Sequence, residues 1–526
     1  MKIAKILKTA LVLLPCGLII ACGGGGETAA TDADSAAAVP VPEPEPARLP
    51  DTAYASAADV KYVVEVLDTT VTGRLSTLRD LYDRKGSIMT FRKGPFRQAD
   101  FGGTLDTVPT RLKVDWSFDT DTDRADTVFG PWGGGTGWTG QPLYIEWPDS
   151  LARKLVDSGA VNSNFKGTEV IVGSLCGSVY FLNPDNGKET RKAINAGNPL
   201  KGTVSFDPLF NGLLYVGQGT PARRPFGAVT IDLLNNELVH FLKEDGKAYR
   251  HWGAFDSSAL RVGQFVFRPA ENGSLYKFVV ENGAPRLHSV MRYKVNGAAP
   301  GIESSMAAFA NYGYLADNHG NVLAVNLDNL QPVWRYNLGD DTDATPVVEV
   351  ENGIPYVYVG CEIDRVARGH AVFAKLNGLT GQEVWKNEPA GQRREDGKKH
   401  FDGGFYASPL LGRGDCSHLI FTNMVKNTSG SNGVFMAINR NDGKTVYELP
   451  LKFYAWSSPV GFLTKDGKQI VVTADCSGNV YIIDAKNGKI ITSSHIGCNF
   501  ESSPAVSANS LFVGSRSNGI YKITLE

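Results

Sequence analysis

A short slot recurs along this chain, and the recurrence limits what the chain can fold into. WSSPV at 456–460 returns as ESSPA at 501–505, 45 residues later. Towards the N-terminus the slot is filled by YASPL (406–410), DATPV (343–347), ESSMA (303–307) and DSSAL (256–260). SFDPL (205–209) and TGQPL (139–143) are weaker copies, which brings the count to eight. Most copies lead into a β-type run ending near Gly, such as LLYVGQ (213–218) or YVYVGC (356–361), then a Gly turn and a third run such as GNVLAVN (320–326) or GNVYIID (478–484). Six copies add a turn and a fourth strand. Alternating runs bounded by NG, DG and TG turns form hairpins. Four short strands in every ~40–50 residues, repeated, describe the blades of a β-propeller.

The ends of the chain fit the same scheme. The last copy stops at Glu526, after its third strand, where a fourth would carry a Trp as at Trp334 and Trp385. RLKVDWSFD (111–119), upstream of the first copy, places Trp116 in that role. A strand from the front of the chain then completes the last blade, which closes the ring and removes an exposed sheet edge. The predicted fold is all-β, an eight-bladed propeller over 111–526. Residues 51–110 are expected to be a helical or extended segment: Val60, Val63, Val64 and Leu67, then Leu75, Leu78 and Leu81, recur at helical spacing, with a break at Gly73.

Within the repeats, Leu376-Asn377-Gly378-Leu379-Thr380-Gly381-Gln382-Glu383-Val384-Trp385 is the fullest example of a Leu-Asn…Thr-Gly…Trp pattern. It resembles the tryptophan-docking repeat of the quinoprotein-like (PQQ-like) propeller family, and FRKGPFRQADFGG (91–103) is similar to that family's entry segment. The resemblance implies the propeller fold. It leaves the task open, because the family includes quinone-dependent dehydrogenases, outer-membrane assembly scaffolds and other bacterial lipoproteins. As a dehydrogenase the resemblance would imply pyrroloquinoline quinone (PQQ) with Ca²⁺ and an adjacent Cys pair beneath the cofactor, and this chain has no such pair. The expected reading is therefore a non-catalytic binding or scaffold module with no cofactor. The alternative is a periplasmic PQQ-dependent dehydrogenase of an alcohol or sugar.

The N-terminus reads as an address. Lys2, Lys5 and Lys8 precede an apolar stretch from Ala10 to Ala21. This is a signal peptide over 1–21, too short for a stable membrane span. Ile19-Ile20-Ala21-Cys22 resembles a bacterial lipobox, which implies lipidation of Cys22. Residues 22–50, Gly-rich and then PVPEPEP, lack the apolar content to order themselves and read as a tether. The expected place is the bacterial cell envelope, on the outer membrane and facing the periplasm or the exterior. The expected partners are the membrane, through the Cys22 lipid, and an envelope protein or a small ligand. A formal charge of −2 gives no nucleic-acid face. Cys176, Cys361, Cys416, Cys476 and Cys498 follow Cys22; their odd number leaves at least one thiol free, and the sequence assigns no disulfide pairing.

In a propeller the connections entering the innermost strands converge on the axis. The first slot residues are Thr139, Ser205, Asp256, Glu303, Asp343, Tyr406, Trp456 and Glu501, with Asp207 two residues beyond Ser205. Trp138, Trp252, Phe405, Tyr454 and Phe500 lie close to them in sequence. Crowded carboxylates raise one another's pKa or recruit a cation, and flat apolar faces hold a sugar or a cationic ligand. The expected ligand funnel comprises Asp207, Asp256, Glu303, Asp343, Tyr406, Trp456, Glu501, Trp138 and Trp252. Asp and Ser at strand starts also cap turns locally, so the same residues admit a purely structural role.

Overall fold

Short, strongly β-prone runs separated by Gly and Asn turns have one economical outcome, antiparallel meanders that bury both faces against their neighbours. The computed structural model describes residues 49–526, apart from 72–74, 76–80, 84–85, 100, 138–139, 397–398, 429–430 and 518. The signal peptide, Cys22 and nearly all of the tether lie outside the described residues. Among the described residues, eight sheets contain four or more strands. In the fourth sheet, for example, Ala307–Phe309, Tyr312–Ala316, Asn321–Asn326 and Gln331–Asn337 pair in sequence order. The inner strands are apolar on both faces because each sheet packs between two others. Tyr312–Ala316 and Asn321–Asn326 are buried throughout.

The ring closes as the repeats predict. Leu112–Asp119 pairs antiparallel with Gly519–Leu525, with Ser117 opposite Tyr521. Trp116 then reaches the first sheet, where its indole Nε1 donates to the Pro184 carbonyl at 3.0 Å. The same docking joins later sheets: Trp334 donates to Gly378 O at 2.9 Å, Trp385 to Arg440 O at 2.9 Å, and the Tyr447 hydroxyl to Ala485 O at 2.6 Å. Gly381 has φ +74°, and a Cβ there would lie 2.6 Å from the Trp334 ring, so only Gly fits beneath the docked indole.

The innermost strands face a common axis, shown by one segment that touches all eight sheets. Ile88 exchanges two backbone hydrogen bonds with Tyr144 in the first sheet, and Met89 O accepts from Phe206 N in the second. The Thr90 hydroxyl donates to Ala259 O in the third. Pro95 O and Phe96 O accept from Ala308 N and Val348 N in the fourth and fifth. Arg92 donates to Pro409 O and Pro459 O at the edge of the sixth and seventh. Phe101–Leu105 pairs parallel with Val460–Thr464, and Gly103 N donates to Ala508 O in the eighth.

One expectation for 51–110 fails. Val60–Val66 is a strand, not a helix, and pairs antiparallel with Ala284–Val295 as a fifth strand of the third sheet. The sequence VKYVVEV is rich in β-branched residues, whose χ1 is stiff in a helix, and a pairing strand overrides the helical spacing. Before it lies only a 3₁₀ turn, Ala55–Ala57. Gly73 and Leu78 fall outside the described residues. The α-helix among the described residues, Asp149–Asp157, is an insertion after the first strand of the first sheet. None of the five cysteines is in a disulfide; Cys498 is exposed and the other four are buried.

Candidate functional site

The recurring Ser/Thr of the slot has a structural task that sets the site's register. Its hydroxyl or backbone links each sheet to the next. Gln141 N donates to Thr203 Oγ1 at 2.7 Å, and Ser258 Oγ donates to Thr203 O at 3.1 Å. Ser258 N donates to Ser305 Oγ and Ser305 N to Thr345 Oγ1, both at 2.9 Å. Thr345 N continues to Ser408 Oγ, Ser408 N to Ser458 Oγ, and Ser458 N to Ser503 Oγ, at 3.0–3.1 Å. Ser503 N returns to Gly140 O at 2.9 Å. The belt is closed, and each member stands two residues before an innermost strand.

This belt corrects one copy of the repeat. In the second sheet the member is Thr203, so the first slot residue there is Lys201 rather than Ser205. Asp207 accordingly leaves the funnel set. It is fully buried, receives the guanidinium of Arg261 and accepts from the Tyr215 hydroxyl at 2.8 Å. Around the axis the first slot residues are Lys201, Asp256, Glu303, Asp343, Tyr406, Trp456 and Glu501. Trp138 and Thr139 lie outside the described residues.

Asp256, Glu303 and Asp343 come together as expected. With Phe91 of the axial segment, Thr203 and Thr345 they line a cavity of ≈ 10 Å³, about one water's worth of space. Lys201 Nζ sits among them, paired with Asp256, 3.6 Å from Glu303 Oε2 and 3.7 Å from Glu271 Oε1. Burial opposes the ammonium, but Asp256, Glu271 and Glu303 hold its pKa well above the usual lysine range. Trp252 is tied to this group through Nε1, which donates to Glu271 Oε2 at 2.9 Å.

A second carboxylate group adjoins the first. Oxygens of Asp341, Asp343 and Glu362 lie within 4.8 Å of one another. Burial and the neighbouring Glu303 push the Asp341 and Asp343 carboxyls well above their ordinary range. Burial and Asp343 do the same to Glu362, against a hydrogen bond from Tyr406. Burial and Glu303 raise Glu271 likewise. Asp341 Oδ1, Asp343 Oδ1 and Glu362 Oε1 are buried and accept no hydrogen bond from the described residues. Beside them Tyr406 stacks on Trp456 at 4.7 Å, and Trp456 meets Tyr454 at 5.4 Å. Glu501 is apart from this cluster, paired with Arg516 at 3.2 Å and bonded by Asn499.

Lys201, Glu271, Asp341 and Glu362 were not singled out from the sequence. Lys201 was hidden by the slipped register. Glu271 and Glu362 close the second strands of their sheets rather than opening the first, a position the slot does not mark. Asp341 is two residues from Asp343 and was legible as its neighbour.

The donor set consists of hard oxygens and fits a divalent cation such as Ca²⁺. The space between Asp256, Glu303 and Asp343 does not fit PQQ, a three-ring quinone, since pockets for organic cofactors run to ~300 Å³ or more.

The fold is a β-propeller similar to those of solved quinoprotein structures. Residues 318–526 match the family model described as outer membrane protein assembly factor BamB. No curated protein matches the chain. Among solved structures, a europium-containing methanol dehydrogenase is similar with a TM-score of 0.56 and 13% identity, over 85% of this chain and 99% of that one. A quinohemoprotein alcohol dehydrogenase from Comamonas testosteroni gives 0.56 and 12%, over 85% and 82%. BamB from Moraxella catarrhalis gives 0.47 and 16%, over 79% and 100%.

Proposed function

We propose that this chain is a non-catalytic propeller of the bacterial cell envelope, anchored through lipid on Cys22, whose acidic and aromatic mouth binds a cationic ligand. Asp256, Glu303 and Asp343 supply charge, Tyr406 and Trp456 a flat face, and Trp252 holds Glu271. The observation that carries the reading is the charge imbalance. Among the described residues, Asp256, Glu271 and Glu303 share the ammonium of Lys201, and the adjoining Asp341, Asp343 and Glu362 form no ion pair. A bound cation removes that imbalance, and an ammonium group gains further from the Tyr406 and Trp456 faces. The rigid ring also presents loops to a protein partner, and the matched family description supports a place in envelope assembly.

Tryptophan fluorescence and calorimetry on the purified protein test the binding, with CaCl₂ and spermidine titrated separately. Saturable binding of either one, lost in Asp343→Asn, is expected, and the two arms separate a metal ion from an organic cation. Absence of binding in both arms refutes the mouth as a cation site. A third titration with PQQ and Ca²⁺ addresses the dehydrogenase reading, which stoichiometric binding with turnover of ethanol or glucose would establish instead. For the anchor, metabolic labelling with an alkyne fatty acid should mark the wild-type chain and not Cys22→Ala; equal labelling of both removes Cys22 as the lipid site.

A further inference from the structure

Val60–Val66 caps the third sheet, and among the described residues no strand pairs with its outer edge. Its hydrogen-bond parity is fixed at both ends, by Leu67 N donating to His288 O at 2.8 Å and Asn296 N donating to Asp59 O at 3.4 Å. Residues 59, 61, 63, 65 and 67 therefore turn their backbone groups inward to Ala284–Val295. Val60, Tyr62, Val64 and Val66 turn theirs outward, a row of donors and acceptors ready for another strand. The strand is also apolar where it is exposed: Tyr62 is 39% exposed, Val63 50% and Val66 55%. Soluble edges are usually protected by Pro, charge or a bulge, and this one carries only Lys61 and Glu65.

Those two charges sit symmetrically about Val63. Lys61 lies opposite Lys294 in the sheet, a like-charge pair, and has no acidic partner among the described residues. Glu65 receives Lys247 and Arg292. We propose that this edge is a self-association surface, where Val60–Val66 pairs antiparallel with the same strand of a second copy about a two-fold axis through Val63. In that register Tyr62 faces Val64 of the other copy, and Val60 faces Val66. All four are outward-facing, so the pairing forms about eight N–H···O bonds. Lys61 then faces Glu65 of the second copy twice over, in the closely spaced pairs where side chains interact most. An axis lying between two residues would set inward-facing groups against outward-facing ones and form no ladder, and an axis at Tyr62 or Val64 would keep the ladder but separate Lys61 from Glu65. The interface is isologous and closes at two copies, since each edge is used once.

Sedimentation or light scattering of the full chain in detergent should report a dimer that dissociates on dilution. Tyr62→Pro removes an outward N–H and leaves the inner ladder intact, so it should yield monomer with an unchanged melting temperature. Lys61→Glu places two like-charged pairs across the axis and should weaken the dimer about tenfold. Val63→Cys in a Cys498→Ser background should cross-link to a dimer on mild oxidation, because the two Cα atoms would stand ~4.5 Å apart. A monomer at every concentration overturns the proposal. So does a dimer that survives Tyr62→Pro and gives no Val63→Cys cross-link, because its interface lies elsewhere.

Discussion

Lys201 decides the charge balance of the mouth. It is the first slot residue of the second sheet and the nearest cation to Asp256, Glu271 and Glu303. Replacing it with Met keeps the length of the stem and removes the charge. Breaking a buried ion pair from one side typically costs about 3–5 kcal/mol, because the remaining charge has no partner. Lys201→Met should therefore lower stability in urea by that order at pH 7 and regain part of it as pH falls, because Glu271, whose carboxyl burial and Glu303 raise well above its ordinary range, takes up a proton. A loss independent of pH would assign the effect to packing. The wild type carries a weaker form of the same dependence. Glu271, Asp341, Asp343 and Glu362 have folded pKa values raised above their unfolded values near 4, so between pH 4 and the raised values the folded state binds more protons than the unfolded one. Their contribution is fully present below about pH 4 and is lost as pH rises through the folded values. Thermal melts should show stability falling from pH 5 to pH 8, with the slope reduced by a cation that binds the mouth; a flat profile would mean these carboxyls ionise freely. Asp256, Glu303 and Asp343 were legible in the sequence because the repeat aligned them. Lys201 was not, since Lys-Gly-Thr-Val lacks the Pro that five other copies carry, and Ser-Phe-Asp-Pro four residues on imitates it.

At the scale of elements, stability passes from sheet to sheet through docked aromatics. Trp334 is fully buried, donates to Gly378 O, and lies over Gly381 in the next sheet. Trp334→Phe keeps most of the apolar area and removes one of the two hydrogen bonds to Gly378 O, the other coming from the Tyr314 hydroxyl at 3.1 Å, so it should cost about 1 kcal/mol. Gly381→Ala should cost at least as much, since the new methyl meets the ring at 2.6 Å and the backbone has φ +74°. Chemical denaturation of the two single variants and the double variant checks this. The double variant should lose less than the two costs added together, because both changes disturb one contact; simple additivity would show that the indole and the turn act separately. These dockings were readable because they repeat with fixed spacing. Val60–Val66 stands alone in the chain, and with no second copy to compare, its apolar residues fit a period of 3.6 as well as a period of 2. The choice was made by the open edge of Ala284–Val295, which the local sequence does not show.

For the molecule as a whole, the ring is held at its rim and at its axis by different means. At the rim, Leu112–Asp119 zips the last sheet, and Trp116 joins it to the first. This was legible because the final repeat lacks a fourth strand. At the axis, the segment from Ile88 to Gly103 is hydrogen-bonded to the innermost strand or entry loop of seven sheets and to the turn after the innermost strand of the eighth, and nothing repetitive in its sequence announced that. Arg92 is its most demanding residue. It is 2% exposed, and among the described residues its guanidinium donates to the carbonyls of Arg97, Pro409 and Pro459, with no carboxylate among these partners. Burial lowers its pKa to about 9. Such a guanidinium is costly to bury, so its retention implies that it satisfies carbonyls that nothing else reaches. Arg92→Met should leave those carbonyls unpaired and cost about 3 kcal/mol. Arg92→Lys should recover little, because a single ammonium cannot span three acceptors in the fork geometry. The effect should also be local before it is global. Native-state hydrogen exchange should quicken first in Leu410–Leu411 and Val460–Thr464, the strands that follow Pro409 and Pro459, while Ala307–Phe309 across the axis keeps its protection. If all eight innermost strands lost protection together, the axial segment would be one cooperative unit with the ring; if none did, Arg92 would not be fastening the sixth and seventh sheets.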